Sequence, residues 1–124
     1  MKIAIVGSRD YPDLDKVIAK VQHLKELYQD DLIIISGGAR GVDMTAQKEA
    51  ERLGIKTQIF PADWDRLGKQ AGMIRNYDIV KACDKVIAFW DGISKGTLGT
   101  MNIARRQNKE VTVVLPETKK LSLY

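Results

Sequence analysis

The run Leu32-Ile33-Ile34-Ile35 passes without a break into Ser36-Gly37-Gly38-Ala39-Arg40-Gly41-Val42-Asp43, and few folds accommodate that junction. Four consecutive apolar, mostly β-branched residues offer no polar face to solvent, so they predict a strand buried on both sides, the mark of a parallel sheet. A helical pattern begins near Val42, which makes the glycines a strand-to-helix turn. Two readings of that turn stand side by side. One is a plain tight connection; the other is an anion cradle, where glycine lets a ligand approach the backbone and the free N–H groups of a helix start favour negative charge.

The same alternation runs through the chain. Lys2 to Val6 reads as a first strand, and Asp13 as the cap of a helix carrying Leu14, Val17, Ile18, Val21, Leu24, Leu27 and Tyr28 at spacings of three and four. Strand two is Leu32 to Ser36, and its helix runs from Val42 to Leu53, ended by Gly54. Strand three is Ile55 to Phe60, closed by Pro61. The stretch from Ala62 to Gly72 has no readable period, and a helix follows from Ala71 to Ala82. Strand four is Lys85 to Trp90, a helix spans Thr97 to Gln107, and strand five is Glu110 to Leu115, with Pro116 after it and an unassigned tail to Tyr124.

Strands alternating with helices predict an α/β fold, a Rossmann-like, doubly wound parallel sheet of five strands with helices on both faces and the order 3-2-1-4-5. A chain of 124 residues suits one domain over 1–124. Hydrophobic residues at 44% and charged residues at 29% exclude a disordered chain. No apolar run reaches about 18 residues and the chain enters a strand pattern at once, so the expectation is a soluble, cytoplasmic protein with no membrane partner. A single cysteine, Cys83, and a single histidine, His23, supply no metal site and no disulfide. Cys83 reads as core and His23 as the polar side of the first helix.

In the predicted topology, ligands sit where the strand order reverses, between strands one and four. The loops after strands one, two and four meet there. Gly7-Ser8-Arg9 brings a tight turn, a hydroxyl and a guanidinium; Ser36 to Asp43 brings backbone donors and Arg40. Asp91-Gly92 leads to Ser94-Lys95-Gly96-Thr97, a second helix start equipped for a phosphate, with Asp91 as an acceptor for a ribose hydroxyl. The net charge of +4 suits a phosphate-bearing partner. Neither Gly-x-Gly-x-x-Gly after strand one nor Gly-x-x-x-x-Gly-Lys-Ser/Thr occurs, which disfavours a standard dinucleotide dehydrogenase and a P-loop NTPase. Arg9, Arg40 and Arg75 have a structural reading as well, paired with Asp10, Asp43 or Asp78. Trp64 and Trp90 read as core, Trp90 being the better stacking candidate of the two.

Taken jointly, Gly7-Ser8-Arg9, Ser36 to Asp43, Ala62-Asp63-Trp64, Ala71-Gly72 with Arg75-Asn76, and Phe89-Trp90-Asp91-Gly92 through Thr97 resemble the SLOG superfamily, in its small YspA- and YpsA-related bacterial and phage members. The resemblance implies a Rossmann-like fold that binds nucleotides or their derivatives. Two branches bear on this chain. In DNA-processing protein A, a single-strand DNA binder, the loop is similar to Ser36 to Asp43, but histidine stands where this chain has Gln47. In the Lonely Guy phosphoribohydrolases a catalytic glutamate stands where this chain has Thr100. Nine residues after Arg75, Asp84 matches them.

The expectations are therefore a small phosphorylated nucleoside as ligand and partner, with no required cofactor, held by Gly7, Ser8, Arg9, Ser36, Gly37, Gly38, Ala39, Arg40, Gly41, Asp43, Arg75, Asn76, Trp90, Asp91, Gly92, Ser94, Lys95, Gly96 and Thr97. If the chain is an enzyme, it is a nucleotide N-glycosidase using Arg75 and Asp91, since no glutamate lies between Glu51 and Glu110. Single-stranded nucleic acid ranks below the small nucleotide, because no stripe of basic and aromatic residues runs along the chain. By resemblance the chain also forms a homodimer.

Overall fold

The computed structural model describes residues 1–117. β1 (Lys2–Gly7), β2 (Ile33–Ser36), β3 (Lys56–Ile59), β4 (Lys85–Phe89) and β5 (Glu110–Val114) form one sheet in the order β3-β2-β1-β4-β5, every pair parallel. The order is the one the alternation predicts. Around the sheet are α1 (Leu14–Tyr28), α2 (Val42–Arg52), α3 (Trp64–Leu67), α4 (Ala71–Ala82) and α5 (Lys95–Arg106).

Period-two alternation divides the core between the two faces. Ile3 and Ile5 of β1 join Ile34, Ile87 and Phe89 beneath Val17, Val21 and Leu24 of α1 and Val42, Ala46 and Ala50 of α2. Ala4 and Val6 point the other way and join Ile35, Val86 and Ala88 with Ile79 and Val80 of α4 and Met101, Ile103 and Ala104 of α5. Cys83 is buried in this second cluster, and His23 is exposed.

Local differences from the sequence reading have physical causes. α5 starts at Lys95 rather than Thr97 because the Ser94 hydroxyl caps it, accepting the Thr97 N–H at 3.3 Å. Asp13 stands at the cap position of α1, but its carboxylate makes no capping bond and accepts the Glu117 N–H at 2.6 Å. The unreadable stretch holds α3 and a 3-10 turn over Gly68–Gln70, both too short to show a period. The tail from 118 to 124 lies outside the described residues.

Tyr11 fastens the loop after β1 to the sheet. Its ring meets Phe89 edge-on at 5.6 Å, and its hydroxyl donates to the Val114 carbonyl at 3.1 Å. Burial, reinforced by Asp13 and Glu117, pushes its pKa up to about 12. Tyr11→Phe removes that donor and is expected to cost about 1 kcal/mol in urea unfolding. An unchanged midpoint would mean that the bond contributes nothing.

Candidate functional site

A cleft of about 680 Å³ opens at the carboxyl ends of β1 and β4, a volume within the usual range for ligand sites. The end of β1 and the loop after it supply Gly7, Ser8 and Arg9 to its wall, and the loop after β2 with the first turn of α2 supplies Ala39 and Asp43. α4 gives Arg75 and Asn76; Asp91, Ser94, Lys95, Gly96 and Thr97 come from the loop and first turn after β4. Ser36, Gly37, Gly38, Arg40, Gly41, Trp90 and Gly92 do not line it. Trp90 instead packs on the core face of α4 and α5, with its indole N–H donating to the Ser94 carbonyl at 3.0 Å.

The glycine-rich loop is folded around an anion of its own. Asp43 is buried, with 6% of its surface exposed, and its carboxylate accepts the Ala39 N–H at 3.4 Å. Burial pushes its pKa up to about 6, against the pull of Arg75 and of the Ala39, Gly37 and Gly7 N–H groups. Arg75 donates to the Gly37 carbonyl at 3.0 Å and to Asn76 Oδ1 at 3.0 Å. Gly37 is confined between these groups: a Cβ there would lie 2.4 Å from Arg75 Nη1 and 2.7 Å from Asp43 Oδ2. The Ser36 hydroxyl completes the loop, donating to the Asp43 carbonyl at 3.1 Å and accepting the Gly38 N–H at 3.2 Å.

Asp91 is likewise engaged. Its Oδ1 accepts the Ile93 and Ser94 N–H groups, each at 2.8 Å, and its own N–H donates to the Ser8 hydroxyl at 3.2 Å. Partial burial pulls its pKa up, but the Ser94 and Ile93 N–H groups, the Ser8 hydroxyl and its own N–H together hold it below the ordinary value. Thr100 is buried and donates to the Gly96 carbonyl at 3.2 Å.

The cations differ in freedom. Arg40 lies 3.9 Å from Asp10, and both side chains are largely exposed. Among the described residues, Arg9 and Lys95 make no ion pair or side-chain hydrogen bond, so both are available to a ligand. Trp64, Met73 and Ile93 are exposed and also line the cleft, none of them singled out as site residues by the sequence reading. Met73 and Ile93 had no signal but position, just after the unreadable stretch and in the second glycine-rich turn, whereas Trp64 lies within that stretch and belongs to the Ala62-Asp63-Trp64 motif. Among the described residues no group of His, Cys, Asp and Glu is placed to hold a metal ion, and no helix is long and apolar enough to cross a membrane.

Residues 1–67 match the profile of the YspA, cpYpsA-related SLOG family. The chain belongs to that family. A curated relative, the Gene 61 protein of Mycobacterium phage D29, is 32% identical over 111 residues, covering 85% of this chain and 89% of the relative. Among solved structures, DNA processing protein A from Helicobacter pylori, described for its single-stranded DNA binding mode, superposes with a TM-score of 0.70 at 25% identity over 91% of this SLOG chain. The Streptococcus pneumoniae protein of the same name has a TM-score of 0.70 at 22% identity over 99% of it, a likeness of fold. The chain spans 64% and 61% of those two longer chains. The SLOG fold is one associated with nucleotide-type ligands or nucleic acid.

The Helicobacter pylori likeness corrects the partner expectation, which put a small nucleotide first and single-stranded nucleic acid below it. That order rested on the lack of a basic and aromatic stripe along the sequence. Folding supplies the juxtaposition instead, by gathering Arg9, Trp64, Arg75 and Lys95 from four separate segments into one cleft.

Proposed function

We propose that this SLOG protein binds single-stranded DNA through the cleft at the carboxyl ends of β1 and β4, with a backbone phosphate held between Arg9 and the first turn of α5. One observation carries the reading: two cations without partners among the described residues, Arg9 and Lys95, line the same cleft as the α5 start. The Lys95 and Gly96 N–H groups at that start lie in the first turn, where an intrahelical acceptor is lacking, and the helix dipole favours a phosphate there. The likeness to the Helicobacter pylori protein supports the choice of a single strand over a free nucleotide. Of the acids that line the cleft, Asp43 and Asp91 are turned onto the protein's own N–H groups, and Asp10 lies 3.9 Å from Arg40.

Fluorescence anisotropy with a labelled oligothymidylate tests the reading. Affinity is expected to fall with salt at a log–log slope of about −0.7 per phosphate neutralised. Arg9→Ala and Lys95→Ala should each flatten that slope by about one such increment. Absence of oligonucleotide binding at low salt, or a slope of zero, would overturn it.

A further inference from the structure

We infer that Trp64 is the platform on which a base of the bound strand stacks, an inference that rests on the single-strand reading above. Large apolar side chains normally leave water on folding, and tryptophan gains most from doing so. Trp64 instead stays 50% exposed, belongs to neither core cluster, and stands in the wall of the cleft that also carries Arg9 and Lys95. The indole extends over Gly72, where a Cβ would come within 3.2 Å of Trp64 Cη2. The absence of a side chain at Gly72 therefore lets the ring lie against the first turn of α4.

The turn that carries the ring is tied by bonds of its own. Asp63 caps the single turn of α3, accepting the Arg66 N–H at 3.2 Å and pairing with Arg66 Nε at 2.9 Å, and the Leu67 N–H bonds to the Asp63 carbonyl at 2.9 Å. A ring carried on that turn and seated against Gly72 has less freedom to lose when a base stacks on it. Met73 and Ile93, 63% and 75% exposed, continue the apolar surface along the cleft. Bases of any identity present a π-face, so such a platform serves a strand without reading its sequence. Trp90 is unsuited to this role, with its N–H committed to Ser94 and its ring packed on the core.

The experiment compares two probes of equal length, an oligothymidylate and an abasic deoxyribose-phosphate oligomer, on the full chain. Wild type is expected to bind the oligothymidylate about tenfold more tightly, the discrimination one stacked base provides. Trp64→Ala should remove that tenfold and leave the abasic probe's affinity unchanged; Trp64→Phe should keep most of it. Equal affinity of wild type for both probes, or an equal loss on both in Trp64→Ala, would overturn the stacking role while leaving the binding reading intact. If wild type binds neither probe, the binding reading itself falls, and the stacking role with it. The wild-type comparison needs no variant, so a poorly folded Trp64→Ala would not shield the inference.

Discussion

Gly41→Ala is expected to lower the stability of the fold by about 4 kcal/mol, a large part of the 5–15 kcal/mol typical of a domain. Gly41 has φ +84 with ψ −126, a region that is strained for any residue with a side chain, at about 1–3 kcal/mol. A Cβ there would also lie 2.5 Å from the Arg9 carbonyl oxygen and 2.9 Å from Arg9 Cα, and backbone cannot step aside as a flexible side chain can. Relieving that overlap adds about 1–3 kcal/mol more. Gly99→Ala is the control, since a Cβ in that turn of α5 meets nothing within 4 Å and the change is expected to stabilise by about 0.5–1 kcal/mol. Thermal melts of the two variants should move in opposite directions, Gly41→Ala by about 10 °C or more downward. A Gly41→Ala protein melting with wild type would mean that the two loops are not in contact in solution.

The second large effect concerns the pair Asp43 and Arg75. The Asp43 pKa, about 6 in the folded protein, stands above its ordinary 3.8, so the folded state holds the proton more tightly than the unfolded chain does. The stabilisation that results is fully present below the unfolded value and is lost as pH rises through 6. It falls by about 2 kcal/mol between pH 4 and pH 7. Glu49 acts with the opposite sign in a lower window. Hydrogen bonds from Arg52 and Gln22 hold it at about 2, so its contribution is present above 4.5 and fades as pH falls through 2. Urea unfolding of wild type against Asp43→Asn isolates the first group: the difference between them should change by about 2 kcal/mol from pH 4 to pH 7.

Removing Arg75 sharpens the same dependence. The guanidinium is the charge that opposes the burial of Asp43, so Arg75→Ala raises the carboxyl further and leaves it unpaired when ionised. The expected cost is about 2 kcal/mol at pH 7 and under about 1 kcal/mol at pH 4.5, where Asp43 is protonated in the folded state. An equal cost at both pH values would show that Arg75 acts through its bond to Gly37 alone.

Much of the fold was legible because each element carried its own period. β1 alternates Ile3, Ala4, Ile5, Val6, and those residues divide between the two cores as alternation requires. The positions of Gly7, Ser8, Arg9 and Lys95 at the rim followed from topology. What escaped was tertiary in origin. An aspartate after a glycine-rich turn reads as an ordinary acid in the first turn of a helix; only the folded loop turns it back onto the N–H groups of Gly37 and Ala39. Trp64 read as core because tryptophan usually is. Its seat against Gly72 and the Asp63 cap beside it have no periodic signature.

The central position of β1 has a kinetic consequence. β1 pairs with β2, about 30 residues on, and also with β4, whose register sets Ile3 against Lys85. The bond from Asp91 to Ser8 spans 83 positions in sequence, and that from Lys2 to Asp84 spans 82. Closing loops of that length is slow relative to forming the local β1–α1–β2 unit, so docking of β4 is expected late in assembly. Residues 1–67, the stretch matched by the family profile, include the glycine-rich loop but not the opposite wall of the cleft. A nascent or truncated chain that folds only its first half lacks Arg75, Asp91 and Lys95, so the cleft is complete only once β4, α4 and the start of α5 have joined it.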